Sequence, residues 1–349
     1  MAMLFFDGFD TYATAQLSSV WPWFDNTDIS AGTGRRGTQS LFLSHPSWGY
    51  NEATQPLSGQ DEIFMGWAHK IGHFSNGSGW IAMTYSGPPR SYNVDASYPV
   101  MIGLQVSPTG VVSAWINSGS TWGSALGSTP AGTMAAGVFY YLEWNVKLHD
   151  TAGRIILRLN GVPIISLTDI DTDLGRGKAF AGIGPRGYAY VDDLYILDTS
   201  GSTNNTFLGD TRVDAHYPVT PDGTHHDWTP STGSDNFAVV DDPVCNTTDY
   251  NSTTTLHAVD TFNMEHLKNT GSTIAAVQTR LFYTKADAGA CLIAPVIRSG
   301  GADYVGGNLA PSTDSLATTS RLLLQNPDGP HAWSEADFND IEVGYEKTG

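Results

Sequence analysis

VFYYLEWNVKLHDTAGRIILRLNGVPIISL, residues 138–167, decides the fold class. Tyr140, Leu142, Trp144, Val146 and Leu148 point one way from an extended chain, and Tyr141, Glu143, Asn145 and Lys147 point the other, which is the two-residue period of a half-buried strand. Residues 150–153 turn the chain. Ile155, Leu157 and Leu159 then share one face, with Arg154 and Arg158 on the opposite one. Asn160-Gly161 is a two-residue hairpin signal of the type I′ kind, and a third strand over 162–167 follows at once. Three adjacent antiparallel strands with one apolar face need a covering layer. No amphipathic helix is at hand, so that layer is expected to be a second sheet.

Further strands are expected upstream at 39–43, 62–71, 79–85, 100–106 and 111–116, and downstream at 179–183 and 188–197, separated by clusters of Gly, Pro, Ser and Asn. The opening residues carry no positive segment and meet an acid at Asp7, so they read as the first strand rather than a secretory signal, with 4–9 lying beside the closing strand of the domain. A length of 349 residues favours two domains. The polar stretch 198–209 places the boundary: a β-sandwich over 1–199, a linker over 200–210 and a second β-sandwich over 211–349. Strands at 212–217, 273–285 with a bulge or a change of face near Thr279, 291–299, 319–325 and 338–345 are expected in the second half, and 258–267 is its one helix candidate.

Composition excludes several classes of function. Lys and Arg number 17 against 35 Asp and Glu, a formal charge of -18, so the chain repels a phosphate backbone and an anionic membrane surface. No nucleic-acid partner and no membrane insertion are expected, since no run approaches the 18 or so apolar residues of a spanning helix. Cys245 and Cys291 allow one disulfide at most, and a chain of this size needs none.

Motifs for catalysis are absent: no glycine-rich phosphate loop, no His-Glu-x-x-His and no Gly-x-Ser-x-Gly. Sugar hydrolysis asks for two carboxylates facing one groove, and Glu143 has only Tyr141 and Asn145 as same-face neighbours, so it reads as solvated surface. Asp169, Asp171 and Asp173 fall at the first three alternate positions of a calcium loop, but Gly175 and Phe180 do not complete the motif; a plain acidic turn is the favoured reading, with no cofactor expected beyond this partial Ca²⁺ pattern. His225-His226-Asp227 reads as a surface loop. Ten tryptophans keep a glycan-binding surface open, because exposed aromatic planes stack on sugar rings. Trp144 is expected in the core. Trp21, Trp23, Trp48, Tyr50, Trp80 and Trp122 lie in loops or at strand ends and are the candidates for contact with a glycan or a partner protein.

Two stretches resemble known families. Residues 141–163 resemble the central hairpins of concanavalin A-like sandwich domains of the laminin G sort. Residues 190–213, YVDDLYILDTSGSTNNTFLGDTRV, followed by 227–242, DWTPSTGSDNFAVVDD, resemble a module of virion structural proteins of tailed bacteriophages, and the resemblance extends over most of the chain from residue 137 onward. It implies an all-β protein, a concanavalin A-like jelly-roll sandwich followed by a second β-sandwich, serving as a non-catalytic structural component of a phage tail, baseplate or fibre. The implied partners are other virion proteins and further copies of the chain, for which a trimeric arrangement would suit a fibre, with host surface glycan as a further partner. The implied location is the exterior of the virion after assembly in the host cytoplasm, where both cysteines would stay free thiols. No catalytic residue is carried over. The competing readings are a carbohydrate-binding receptor adhesin and a glycan-degrading enzyme.

Overall fold

The computed structural model describes residues 2–44, 51–74, 79–87, 100–117, 122–175, 177, 179–220, 223–313 and 315–349. The chain is all-β and divides into two compact units, Met1–Val213 and Asp214–Gly349.

Fifteen strands build the first unit: β1 (Met3–Asp7), β2 (Trp23–Asp25), β3 (Thr27–Ser30), β4 (Ser40–Leu43), β5 (Glu52–Gln60), β6 (Glu62–Ile71), β7 (Gly79–Tyr85), β8 (Val100–Val106), β9 (Val112–Asn117), β10 (Trp122–Ser128), β11 (Phe139–Lys147), β12 (Gly153–Leu159), β13 (Val162–Ile170), β14 (Phe180–Pro185) and β15 (Ala189–Asp198). They form an eight-stranded antiparallel sheet, β13-β12-β11-β6-β15-β4-β3 with β1 also on β15, and a seven-stranded one, β10-β9-β8-β7-β14-β5-β2, the layout of a concanavalin A-like sandwich. The deciding stretch is β11, β12 and β13 in a row, turned at Asn160 (φ 50°) and Gly161 (φ 81°) as a type I′ turn requires. As expected, β1 lies against the closing strand β15. Across a register shift between Asp192 and Tyr195, the first half of β15 pairs with β4 and the second half with β1.

Register fixes the core. Leu142, Trp144 and Val146 on β11 stand opposite Trp67, Met65 and Ile63 on β6, and Trp144 and Val146 opposite Leu157 and Ile155 on β12. All are buried, as are Ile102, Leu104, Ala114 and Ile183 on the seven-stranded sheet. Each large side chain so removed from water contributes about 1.5–3 kcal/mol.

Residues 198–213, expected to include a linker, instead hydrogen-bond to the first unit. Gly209 donates its N–H to Glu143 Oε1 at 2.8 Å, Leu208 donates to the Tyr195 hydroxyl at 3.2 Å and Val213 donates to Asp193 Oδ1 at 2.8 Å. Phe207 sits edge-on to Phe64, with the Arg158 guanidinium 3.9 Å from its ring centre. Glu143 is therefore not solvated surface: it is 0% exposed and also receives the Tyr195 hydroxyl at 2.7 Å. Alternation placed it correctly on the face opposite Trp144, but a second layer of chain covers that face.

The second unit holds β16 (Pro218–Thr220), β17 (Thr229–Pro230), β18 (Asn251–Ser252), β19 (Val259–Met264), β20 (Val277–Tyr283), β21 (Ile293–Ser299), β22 (Ala302–Val305), β23 (Ala317–Leu323) and β24 (Glu342–Lys347). A five-stranded sheet, β16-β19-β24-β21-β22, is packed by the β20–β23 ribbon: Val277, Leu281 and Leu323 meet Ile293, Ile297, Val343 and Tyr345. Three expectations fail here. The helix candidate 258–267 is β19, because Asp260 and Phe262 alternate inward against β24. Thr279 carries no bulge, since β20 and β23 pair in unbroken register. Residues 212–217 are not a strand; pairing begins at Pro218.

Candidate functional site

Outward-facing residues of the seven-stranded sheet form the candidate site, a tryptophan shelf. Trp115 on β9, Gly103 on β8, Met83 on β7 and Gly184 on β14 stand directly opposite one another, so they share one face. Gly103 is what admits the aromatic cluster. A Cβ there would come within 2.7 Å of the Trp80 ring and 3.1 Å of the Trp122 ring, so glycine makes room for the edges of both indoles against the strand. Their ring centres are 4.1 Å apart at a tilt of 33°, and Trp115 stands 6.5 Å from Trp80. Gly182 repeats the device: a Cβ there would sit 3.0 Å from the Trp23 ring. From β9 to β2 is five strand steps, roughly 24 Å at about 4.8 Å per step. All four indoles are half-buried, with part of each surface open to solvent.

Neutral polar groups accompany the rings. Gln105 lies opposite Trp80 and Ser113, whose hydroxyl is 2.8 Å from that of Ser128. The Trp115 indole N–H has no partner among the described residues.

Beside the shelf lies a compact charged cluster. Tyr85, two residues along from Met83, donates its hydroxyl to Glu52 Oε2 at 2.6 Å, and Arg186 Nη1 approaches the same oxygen at 3.3 Å. Burial pushes the Tyr85 phenol well above its ordinary pKa, so it stays protonated. Arg186 also lines a cavity of about 30 Å³ with Trp80, His69 and Tyr188, room for one water. His69 accepts the Trp67 indole N–H at 3.1 Å, and burial lowers its pKa to about 3, so the ring is neutral.

The residues singled out in the sequence fare differently. Trp80 and Trp122, from strands far apart in sequence, are brought into ring contact. Trp48 and Tyr50 lie outside the described residues. Asp169, Asp171 and Asp173 do not converge: Asp171 accepts the Leu174 N–H at 2.6 Å and Asp173 the Gly177 N–H at 2.5 Å, each closing its own turn. Among the described residues no group of three His, Cys, Asp or Glu side chains is placed to hold a metal. His225 pairs with Asp303 at 2.8 Å. Trp23, also a candidate, joins the shelf, whereas the candidate Trp21 is fully buried and donates its indole N–H to Asp7 Oδ2 at 3.0 Å. Sequence reasoning missed Trp115, Glu52, Tyr85 and Arg186. The available signal was glycine at 103 and 182 inside strand patterns, which marks a close approach.

No family model matches the chain, and no curated protein matches it. Solved structures do. An endo-β-1,4-glucuronan lyase from the fungus Trichoderma reesei shares 11% identity over 56% of this chain and 95% of that one, with a TM-score of 0.42. The alginate lyase Aly36B shares 14% over 54% and 91%, with a TM-score of 0.38. The metal-free carbohydrate recognition domain of Emp46p shares 9% over 55% and 98%, with a TM-score of 0.37. The likeness is one of sandwich fold. It overturns the expectation of a non-enzyme, since glucuronan and alginate lyases are among the structures similar to this chain. The virion role, tail placement and trimer implied by residues 190–213 and 227–242 gain no support from these comparisons.

Proposed function

We propose that this chain binds a polysaccharide along the outer face of the seven-stranded sheet, with Trp80, Trp115 and Trp122 as the stacking platform and Trp23 extending it. One observation carries the reading: three indoles from three strands cluster on one sheet face around a glycine that makes room for them, with polar side chains alongside. Core tryptophans such as Trp144 and Trp67 are fully buried, whereas these keep part of their surface. Aromatic anchors of this kind hold most of the energy of a binding surface, about 2 kcal/mol each on truncation. Affinity electrophoresis against a panel of polysaccharides tests the reading: at least one retards the protein, and Trp122→Ala weakens that retardation roughly 30-fold. Retardation by none, or unchanged retardation of the variant, contradicts it.

The Glu52–Tyr85–Arg186 cluster favours a second reading, cleavage of a uronate-containing chain at this face. In such an elimination a base takes the proton at C5, the C4–O4 bond breaks as the C4=C5 double bond forms, and O4 receives a proton. Glu52 would be the base, protonated Tyr85 the donor and Arg186 the partner of the sugar carboxylate, which requires the bound chain to displace the Arg186–Glu52 contact and open the three buried side chains to substrate. Ultraviolet absorbance of the unsaturated end would rise with the wild type and fail to rise with Glu52→Gln or Tyr85→Phe. No rise with glucuronan or alginate removes this reading and leaves the first standing.

A further inference from the structure

Resting on the glycan-binding reading of the tryptophan shelf, we infer that its ligand is an uncharged polysaccharide of equatorially substituted pyranose rings, and that the shelf discriminates against the corresponding polyuronide. Two observations carry this. First, charge on the face cancels locally: Arg186 is committed to Glu52 at 3.3 Å, and both side chains are nearly buried. Among the described residues beside Trp80, Trp115 and Trp122, the groups left to meet a ligand are indole planes, the Gln105 amide and the Ser128 hydroxyl, all neutral, and the charged side chain beside Trp23, Asp25, is an acid. Second, the chain carries -18 overall, and at physiological salt its field extends about 8 Å from the surface. A polymer with a carboxylate on each ring would meet that repulsion along its whole length without a row of cations among the described residues to offset it.

The rings set the sugar geometry. A flat indole stacks best on a pyranose whose hydroxyls all lie equatorially, because its C–H groups then form one continuous apolar surface. Hydroxyls at the ring edge are left for the amide and serine groups.

A matched pair of probes isolates charge from shape: cellohexaose and the hexamer of β-1,4-glucuronan, which differ in oxidation at C6. Titration of the intact protein by tryptophan fluorescence, at low and at physiological salt, reads both. Cellohexaose should bind at least tenfold more tightly, with little salt dependence, while the uronate should gain affinity as salt rises. Tighter binding of the uronate, weakening with salt, overturns the inference yet leaves the shelf a glycan site and promotes the cleavage reading. Failure of both probes, or binding that Trp115→Ala and Trp122→Ala leave unchanged, overturns the shelf reading itself.

Discussion

The two outer faces of the first unit carry similar residue types and end differently. On the eight-stranded sheet, Tyr141, Glu143 and Tyr195 project outward, and residues 207–213 lie over them, with Gly209 on Glu143 and Thr211 on Tyr141. On the seven-stranded sheet, Trp80, Trp115 and Trp122 project outward and stay half-open. The first face has been satisfied by the chain's own backbone, whose N–H groups supply donors a carboxylate needs. The second keeps its indoles half-open, as the proposed glycan platform requires. Residue type alone does not make a binding face; what distinguishes the two is whether the chain supplies its own ligand.

Substitutions on each face sharpen the contrast. The largest effect is expected from Glu143→Ala, which strands the Tyr195 hydroxyl and the Gly209 N–H without their acceptor. The cost should be about 3 kcal/mol, a drop in Tm of about 10 °C for a unit of this size, with Glu143→Gln recovering part of it. Calorimetry checks this, and a shift within error would mean that the covering segment contributes no stability. On the open face, Gly103→Val should leave the fold intact but lift Trp80 and Trp122 off the strand, weakening glycan binding roughly 30-fold, about 2 kcal/mol. Unchanged binding would show that the ring arrangement is irrelevant.

A smaller effect concerns pH. Burial, and then the charge of Asp193, raise the Asp192 carboxyl above its unfolded value of about 3.9. The folded state thus holds a proton that the unfolded state has released, so the stability linked to this group is complete below about pH 4 and is lost as pH rises through the raised folded-state value. Arg35 donates its backbone N–H to Asp192 at 2.8 Å, Asp10 adds negative charge, and Arg36 pairs with Asp193. Asp192→Asn should flatten the fall in stability between pH 5 and 8 by about 1 kcal/mol, measured by urea unfolding. A fall as steep as wild type would remove Asp192 from the account.

Much of the fold was legible because β-structure writes its period into the sequence. Residues 138–167 announced three strands, the facing of Trp144 and the turn at Asn160-Gly161, all local properties. What failed was non-local. Glu143 was assigned to the right face and the wrong environment, because alternation says which way a side chain points and not what lies above it. The strand Val259–Met264 passed for a helix because Asp260 alternates into the interior, where it accepts the Asn236 amide and the Trp228 N–H. Half of the candidate site was readable: Trp23, Trp80 and Trp122 stood out as aromatics in loops or at strand ends, whereas Trp115 lies inside the expected strand 111–116 and carried no such signal. Glu52, Tyr85 and Arg186 come from places far apart in the chain, and only sheet register brings them together.

Open and closed tryptophans should do different work, and the indole N–H resonances of the ten tryptophans test this in one spectrum. Addition of cellohexaose to the intact protein should shift the resonances of Trp80, Trp115 and Trp122 while those of Trp21, Trp67 and Trp144 stay fixed. Shifts confined to the buried set, or no shift at saturating sugar, would contradict the account.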